Sequence, residues 1–141
     1  AVTLDACAAR VEQGDPDRFR AVMSAPPAAR AVLFPLYAFN LEVARAAWVP
    51  KEPLLAEMRL QWWRDVVEEA GQGAPPPAHG IAGPLAVLVR DGRLDAATLD
   101  AVIEARRRDA DPRPMEPGEL RPYLEGTAGA LLWAAAQALG G

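Results

Sequence analysis

The chain has 141 residues, a length that holds one domain with a single core and excludes a large multidomain enzyme. Apolar residues make up 51% and charged residues 24%, the balance of a folded protein, and a formal net charge of −4 argues against a nucleic-acid binder, whose affinity would rest on lysine and arginine. With 30 alanines and 16 leucines against 11 valines and 2 isoleucines, the sequence predicts an all-α fold, a bundle of antiparallel helices. Unbranched side chains lose little freedom in a helix, whereas β-branched ones suit strands. The one cysteine, Cys7, excludes an internal disulfide, and together with the one histidine, His79, it leaves a zinc site or a Ser-His-Asp triad without support. Such cysteine usage suits a reducing compartment and points to the cytoplasm.

Taken in chain order, Thr3 is placed to cap a first helix over residues 3–13, with Leu4, Cys7, Ala8 and Val11 inward and Gly14 as its stop. Asp15 and Pro16 form a cap and first-turn pair for a second helix that turns Phe19, Val22 and Met23 inward and ends before Pro26 and Pro27. A third helix over 28–48 carries the stripe Val32, Leu36, Phe39 and Val43, and Pro35 within it predicts a bend. Pro53 opens a fourth helix over 53–70 with Leu55, Met58, Trp62 and Val66 as its inward stripe, Arg59 and Trp63 on an adjoining face, and Arg64 paired with Glu68.

Residues 71–80, GQGAPPPAHG, read as an irregular loop with His79 exposed in it. A short helix over 84–90 ends at Gly92, and Asp95 caps a further one that runs to 108 with Leu99, Val102, Ile103 and Arg106 on one face. The acidic pair Asp100 and Glu104 reads as a solvated face, and the pair Asp65 and Glu69 as a helix end beside the loop. Beyond a second loop over 109–118, a final helix from 119 is apolar nearly all round and therefore expects cover on several sides. Its longest apolar run is too short to cross a bilayer, which takes about 20 residues.

Three strings carry a resemblance: LYAFNLEVARA over 36–46, MRLQWWRDVVEE over 58–69 and YLEGTAGALLW over 123–133, with DPDRF over 15–19 ahead of them. In order and spacing they resemble segments of the squalene/phytoene synthase family, the all-helical head-to-head prenyl synthases. The resemblance implies an isoprenoid-synthase fold, with residues 1–141 as a single helical domain that represents its N-terminal part. A family enzyme would hold a prenyl diphosphate through Mg²⁺ bridged to carboxylates four apart on one helix face. Laid onto this chain, the first aspartate positions fall on Ala44, Arg45 and Trp48, none of which is a carboxylate.

Two functional expectations follow from the resemblance. The combination AFNLEVA with MRLQWW is similar to a non-catalytic branch that acts in assembly of respiratory complex I. On that reading Asn40 and Glu42 are structural or partner-facing polar residues, the partner is protein, no cofactor is needed, and contact with the inner membrane is peripheral. On the alternative reading the chain belongs to an active prenyl-diphosphate transferase that uses Mg²⁺. Arg45 and Arg59 would then hold phosphate, because guanidinium matches phosphate oxygens in a fork, and Tyr123, Thr127 and Ala128 would border the prenyl chain. A third, blander reading makes the tryptophans plain core or interface anchors and pairs Glu42 with Arg45 along one helix.

Overall fold

The computed structural model describes residues 3–48, 52–108, 118, 134–136 and 139, with the backbone alone for 109 and 110. Six α-helices follow one another: α1 (Asp5–Gly14), α2 (Pro16–Ser24), α3 (Pro27–Trp48), α4 (Pro53–Gly71), α5 (Ala82–Arg90) and α6 (Ala96–Ala110). No strand occurs among the described residues, so the all-α expectation holds. No helix among them is long and apolar enough to cross a membrane. The final helix expected from 119, with Tyr123, Thr127 and Ala128, lies outside the described residues apart from 134–136 and Leu139, of which Ala134 and Ala135 are buried in the common core.

Local chemistry sets most of the boundaries. Asp15 ends α1 and starts α2, its Oδ1 accepting the Arg18 backbone N–H at 3.2 Å, and Pro16 fills the first turn where no N–H is required. Thr3 does not cap α1 as predicted. Leu4 takes that position in helical conformation with no side-chain cap, and the ladder opens with Ala8 N–H donating to the Leu4 carbonyl at 2.9 Å. Helix α4 closes on Gly73, whose φ of +86° lets its N–H and that of Ala74 reach back to Ala70 and Glu69. Helix α6 starts at Asp95, whose Oδ2 accepts the Thr98 hydroxyl at 3.1 Å.

Helix α3 packs against every other numbered helix and so forms the axis of the bundle. Its predicted stripe of Val32, Leu36, Phe39 and Val43 is fully buried, and Leu33, Phe34, Pro35 and Ala38 are buried beside it because neighbours surround the axis. The helix runs through Pro35 without interruption. Proline lacks the N–H that would bond the Ala31 carbonyl, and Ala31 is exposed, so water can satisfy that oxygen. Asn40 is the buried polar side chain of the described core. Met23, predicted inward, is exposed, because Phe19 and Val22 already fill the one face that the short α2 turns to α3, with Phe19 stacked on Phe34 at 5.7 Å.

The largest departure from the sequence reading is the rotation of α4. Its buried face is Ala56, Leu60, Trp63, Val66, Val67 and Ala70, whereas Leu55, Met58 and Trp62 of the predicted stripe are exposed. The shift is about one residue, or 100° around the helix. Both faces are apolar, and the inward one carries Ala56 and Ala70, whose small side chains allow neighbouring helices to approach closely.

The loop over 71–80 is anchored at its far end. The Cys7 thiol donates to the Gly80 carbonyl at 3.5 Å, and a Cβ at Gly80 would stand 2.6 Å from the Cβ of Ala6. Only glycine brings the loop this close to α1, and that contact fixes where His79 lies.

Candidate functional site

A cavity of about 400 Å³ opens between the last turns of α3, the middle of α4 and the end of the 71–80 loop. Glu42, Arg45 and Ala46 of α3 form one side, Arg59, Trp62 and Trp63 of α4 the other, and His79 closes the rim. The size is within the range of small-molecule sites, roughly 300–1,000 Å³.

Each wall has a local cause. Residues 42, 45 and 46 are three and four apart and so share one face of α3, as 59, 62 and 63 do on α4. The rotation of α4 sends Trp63 into the core, where its ring meets Phe39 edge-on at 5.6 Å, and leaves Trp62 half-open with its ring 5.0 Å from that of Trp63. His79 lies 5.2 Å from Trp62 and 5.7 Å from Trp63, ring to ring.

His79 is exposed, as the sequence reading expects, yet it is not an idle loop residue. Its Nδ1 accepts the backbone N–H groups of Ile81 at 3.1 Å and Ala82 at 3.0 Å, and its carbonyl accepts that of Gly83 at 2.9 Å. It therefore caps α5, and Nδ1 must be the unprotonated nitrogen, which leaves Nε2 carrying the ring hydrogen. Nothing in the residue type advertises this role. The nearest signal is its position directly before the apolar run that begins at Ile81.

The charges of the cavity are unbalanced. Arg10 Nε donates to Glu42 Oε1 at 2.7 Å, joining α1 to α3, with both side chains about three-quarters buried. The expected pairing of Glu42 with Arg45 therefore does not form, because Arg10 reaches the carboxylate first from the packed side. Among the described residues Arg45 and Arg59 have no ion-pair or hydrogen-bond partner. Arg45 gains something from standing in the last turn of α3, where backbone carbonyls favour a cation by about 0.3–1 kcal/mol.

Of the residues singled out in sequence, Glu42, Arg45 and Arg59 meet at this cavity, and Asn40 is instead buried within α3. Tyr123, Thr127 and Ala128 lie outside the described residues. Trp62, Trp63, Ala46 and His79 were not assigned to a site. The Trp-Trp pair held a usable signal, since adjacent helical residues differ by about 100° in direction and two bulky rings cannot both take the same buried face.

The residues at the family's aspartate positions do not fit Mg²⁺. Ala44 has no ligand atom, Arg45 brings a cation, and Trp48 is an exposed indole. Among the described residues no three of His, Cys, Asp and Glu come together as a metal-binding group. Asp65 and Glu69 border a smaller cavity of about 240 Å³ beside Pro75 and Pro77, where Asp65 Oδ1 accepts from Gln61 Nε2 at 2.9 Å.

In the α4–α6 seam arginines meet carboxylates. Arg64 NH1 reaches Glu104 Oε1 of α6 at 2.9 Å, in place of the predicted Glu68, and Arg107 meets Glu104 at 3.1 Å and Glu57 at 3.0 Å. Asp100 is thus partly buried at the α4–α6 seam, while Glu104 is exposed as the sequence reading expects and pairs with both arginines there. Burial pushes the Asp100 carboxyl up, Arg64 opposes that, and Glu68 and Glu104 add to it. Burial likewise pushes the Cys7 thiol up to about 12, outweighing the hydrogen bond to backbone, so it is no nucleophile.

The all-helical bundle is of the isoprenoid-synthase type. Residues 11–141 match the family model of squalene/phytoene synthase, and the chain belongs to that family. It is similar to "NADH dehydrogenase (ubiquinone) complex I, assembly factor 6" of Bos taurus, with 27% identity over 135 residues that cover 95% of this chain and 40% of that protein. The Homo sapiens protein of the same name matches with the same identity and coverage. That of Mus musculus is 32% identical over 108 residues, 74% of this chain and 32% of its own length. The chain thus spans about 40% of the length of the curated relatives it matches over most of its residues. No solved structure matches it.

Proposed function

We propose that this chain is part of a non-catalytic member of the squalene/phytoene synthase family that works by binding protein in the assembly of respiratory complex I. The observation that carries the reading is the replacement of the first aspartate positions by Ala44, Arg45 and Trp48, which leaves no oxygen ligand where a transferase needs Mg²⁺. The names of the relatives support it. So does the surface of α4, where Leu54, Leu55, Met58 and Trp62 stand exposed, in the manner of an interface with an aromatic anchor. On this reading the chain needs no Mg²⁺, its partners are subunits or intermediates of complex I, and its contact with the inner membrane is peripheral.

The test pairs a gain with a loss. Disruption of the gene is expected to reduce assembled complex I on a native gel and NADH oxidation in membranes, with recovery on re-expression. Purified protein given a labelled prenyl diphosphate and Mg²⁺ is expected to form no coupled hydrocarbon product. Normal complex I after disruption, or product in that assay, would overturn the proposal.

A further inference from the structure

The exposed face of α4 has a direction. Leu55, Met58, Trp62, Asp65 and Glu69 are all exposed and follow one another at alternating steps of three and four, the spacing of a coiled-coil seam. The stripe runs along about 21 Å of helix, apolar over its first half and acidic over its second. At the acidic end a hollow of about 240 Å³ is lined by Trp62, both carboxylic residues, Pro75 and Pro77.

Holding the bundle together does not account for the acids. Asp65, Glu68 and Glu69 stand in the last two turns of α4, where the backbone carbonyls already concentrate negative charge, and no basic residue stands in the last turn to offset them. Asp65 is oriented by a neutral donor, the Gln61 amide at 2.9 Å, which leaves its charge in place. A cation brought to this end of the stripe relieves that crowding of like charge.

The charge pattern also selects the occupant. An anionic bilayer is repelled by Asp65, Glu68 and Glu69. A second copy laid parallel sets acid against acid, and one laid antiparallel sets the acidic half against Leu55 and Met58. Residues 119–133 of the chain itself offer one arginine, Arg121, with Glu119 and Glu125 close to it in sequence.

We infer that this face receives an amphipathic helix of a partner protein, with apolar residues at steps of three and four against Leu55, Met58 and Trp62 and a lysine or arginine where that stripe continues. The cationic head sits on Asp65 and Glu69, and its aliphatic stem lies against Trp62 and the prolines. The inference rests on the partner-binding reading and deepens it, giving the surface and the chemistry of what lands there.

Two labelled synthetic helical peptides test it, both with leucines at i, i+3 and i+7, one continuing the stripe with lysines and the other with glutamates. Fluorescence anisotropy is expected to show the lysine peptide bound to the protein about tenfold or more tighter than its twin, a preference that vanishes in the double variant Asp65→Asn, Glu69→Gln. Met58→Asp is expected to abolish binding of the lysine peptide, and Glu12→Gln, which removes an acid from α1, to leave it intact. All of these positions are exposed, and a circular dichroism spectrum matching the parent verifies folding. No preference for the lysine peptide, or a preference undiminished in the double variant, overturns the inference. In cells, a photo-crosslinking residue at position 58 is expected to mark a helical segment of another protein with the stated pattern, whereas a crosslink to residues 111–133, to a second copy or to lipid, or none at all, overturns it. Complex I assembly that is lost on gene disruption yet fully restored by Met58→Asp overturns this surface while the partner-binding reading stands. Assembly that survives disruption overturns that reading and this inference with it.

Discussion

The two sides of α4 solve the same problem in opposite ways. Towards α6, each of the arginines Arg64 and Arg107 ends on a carboxylate, and Glu104 serves both. Towards the cavity, Arg59 and Arg45 line one hollow and have no partner among the described residues. The tryptophans divide in the same way: Trp63 is 5% exposed and Trp62 is 42% exposed, although they are neighbours in sequence. One side has its arginines paired with carboxylates, whereas the other carries arginines with no partner among the described residues. That contrast separates what holds the bundle together from what is available to a ligand or partner.

The sharpest way to break the comparison is to truncate each tryptophan. Trp63→Ala empties a core position against Phe39 and is expected to cost about 3–5 kcal/mol in urea unfolding. Trp62→Ala removes ring contacts at the surface and is expected to cost about 1 kcal/mol or less. Equal losses would mean that the two sides of α4 are not distinct.

Next in size is His79. His79→Ala leaves the N–H groups of Ile81 and Ala82 without their acceptor, at an expected cost of about 1 kcal/mol, with local hydrogen exchange at the start of α5 speeding up. His79→Asn, which offers an acceptor of a kind favoured at such caps, is expected to recover part of it. Unchanged protection at Ala82 in the alanine variant would remove His79 from the framework.

The smallest effects concern charge. Glu104→Gln breaks two contacts in the α4–α6 seam and is expected to lose about 0.5–1 kcal/mol, a modest figure because these side chains are partly exposed. Arg59→Gln breaks no ion pair or hydrogen bond among the described residues and is expected to stay within about 0.5 kcal/mol of the parent in thermal unfolding. A larger loss from Arg59→Gln than from Glu104→Gln would reverse the assignment of the two sides.

The division between what could be read in sequence and what could not has physical reasons. Helix limits were legible where one residue carries the cause locally, as at Asp15, Pro16, Pro53, Gly92 and Asp95. The stripe of α3 was legible because one apolar set dominates an axis buried on all sides. The face of α4 was not, since two apolar faces, one with Leu55, Met58 and Trp62 and the other with Leu60, Trp63 and Val67, lie about one residue apart and only packing chooses between them. Arg45 and Arg59 could be singled out from the family's missing acids. Their lack of partners among the described residues could not, because it depends on Arg10 arriving from 32 positions away to take Glu42. The roles of His79 and Trp63 likewise rest on a loop anchored by Gly80 against Ala6, a contact between distant stretches of chain that no local pattern records.

That anchored loop has one more consequence. Cys7 is the chain's single thiol, wholly enclosed and tied to the Gly80 carbonyl, so a soluble thiol reagent can reach it only when α1 and the loop part. Its labelling rate is therefore a clock for one specific opening of the molecule, counted without any introduced probe. Because the same loop carries His79 to the rim of the cavity, an occupant that presses on that rim would slow the clock, and the distance between ligand and thiol would be spanned by the loop alone.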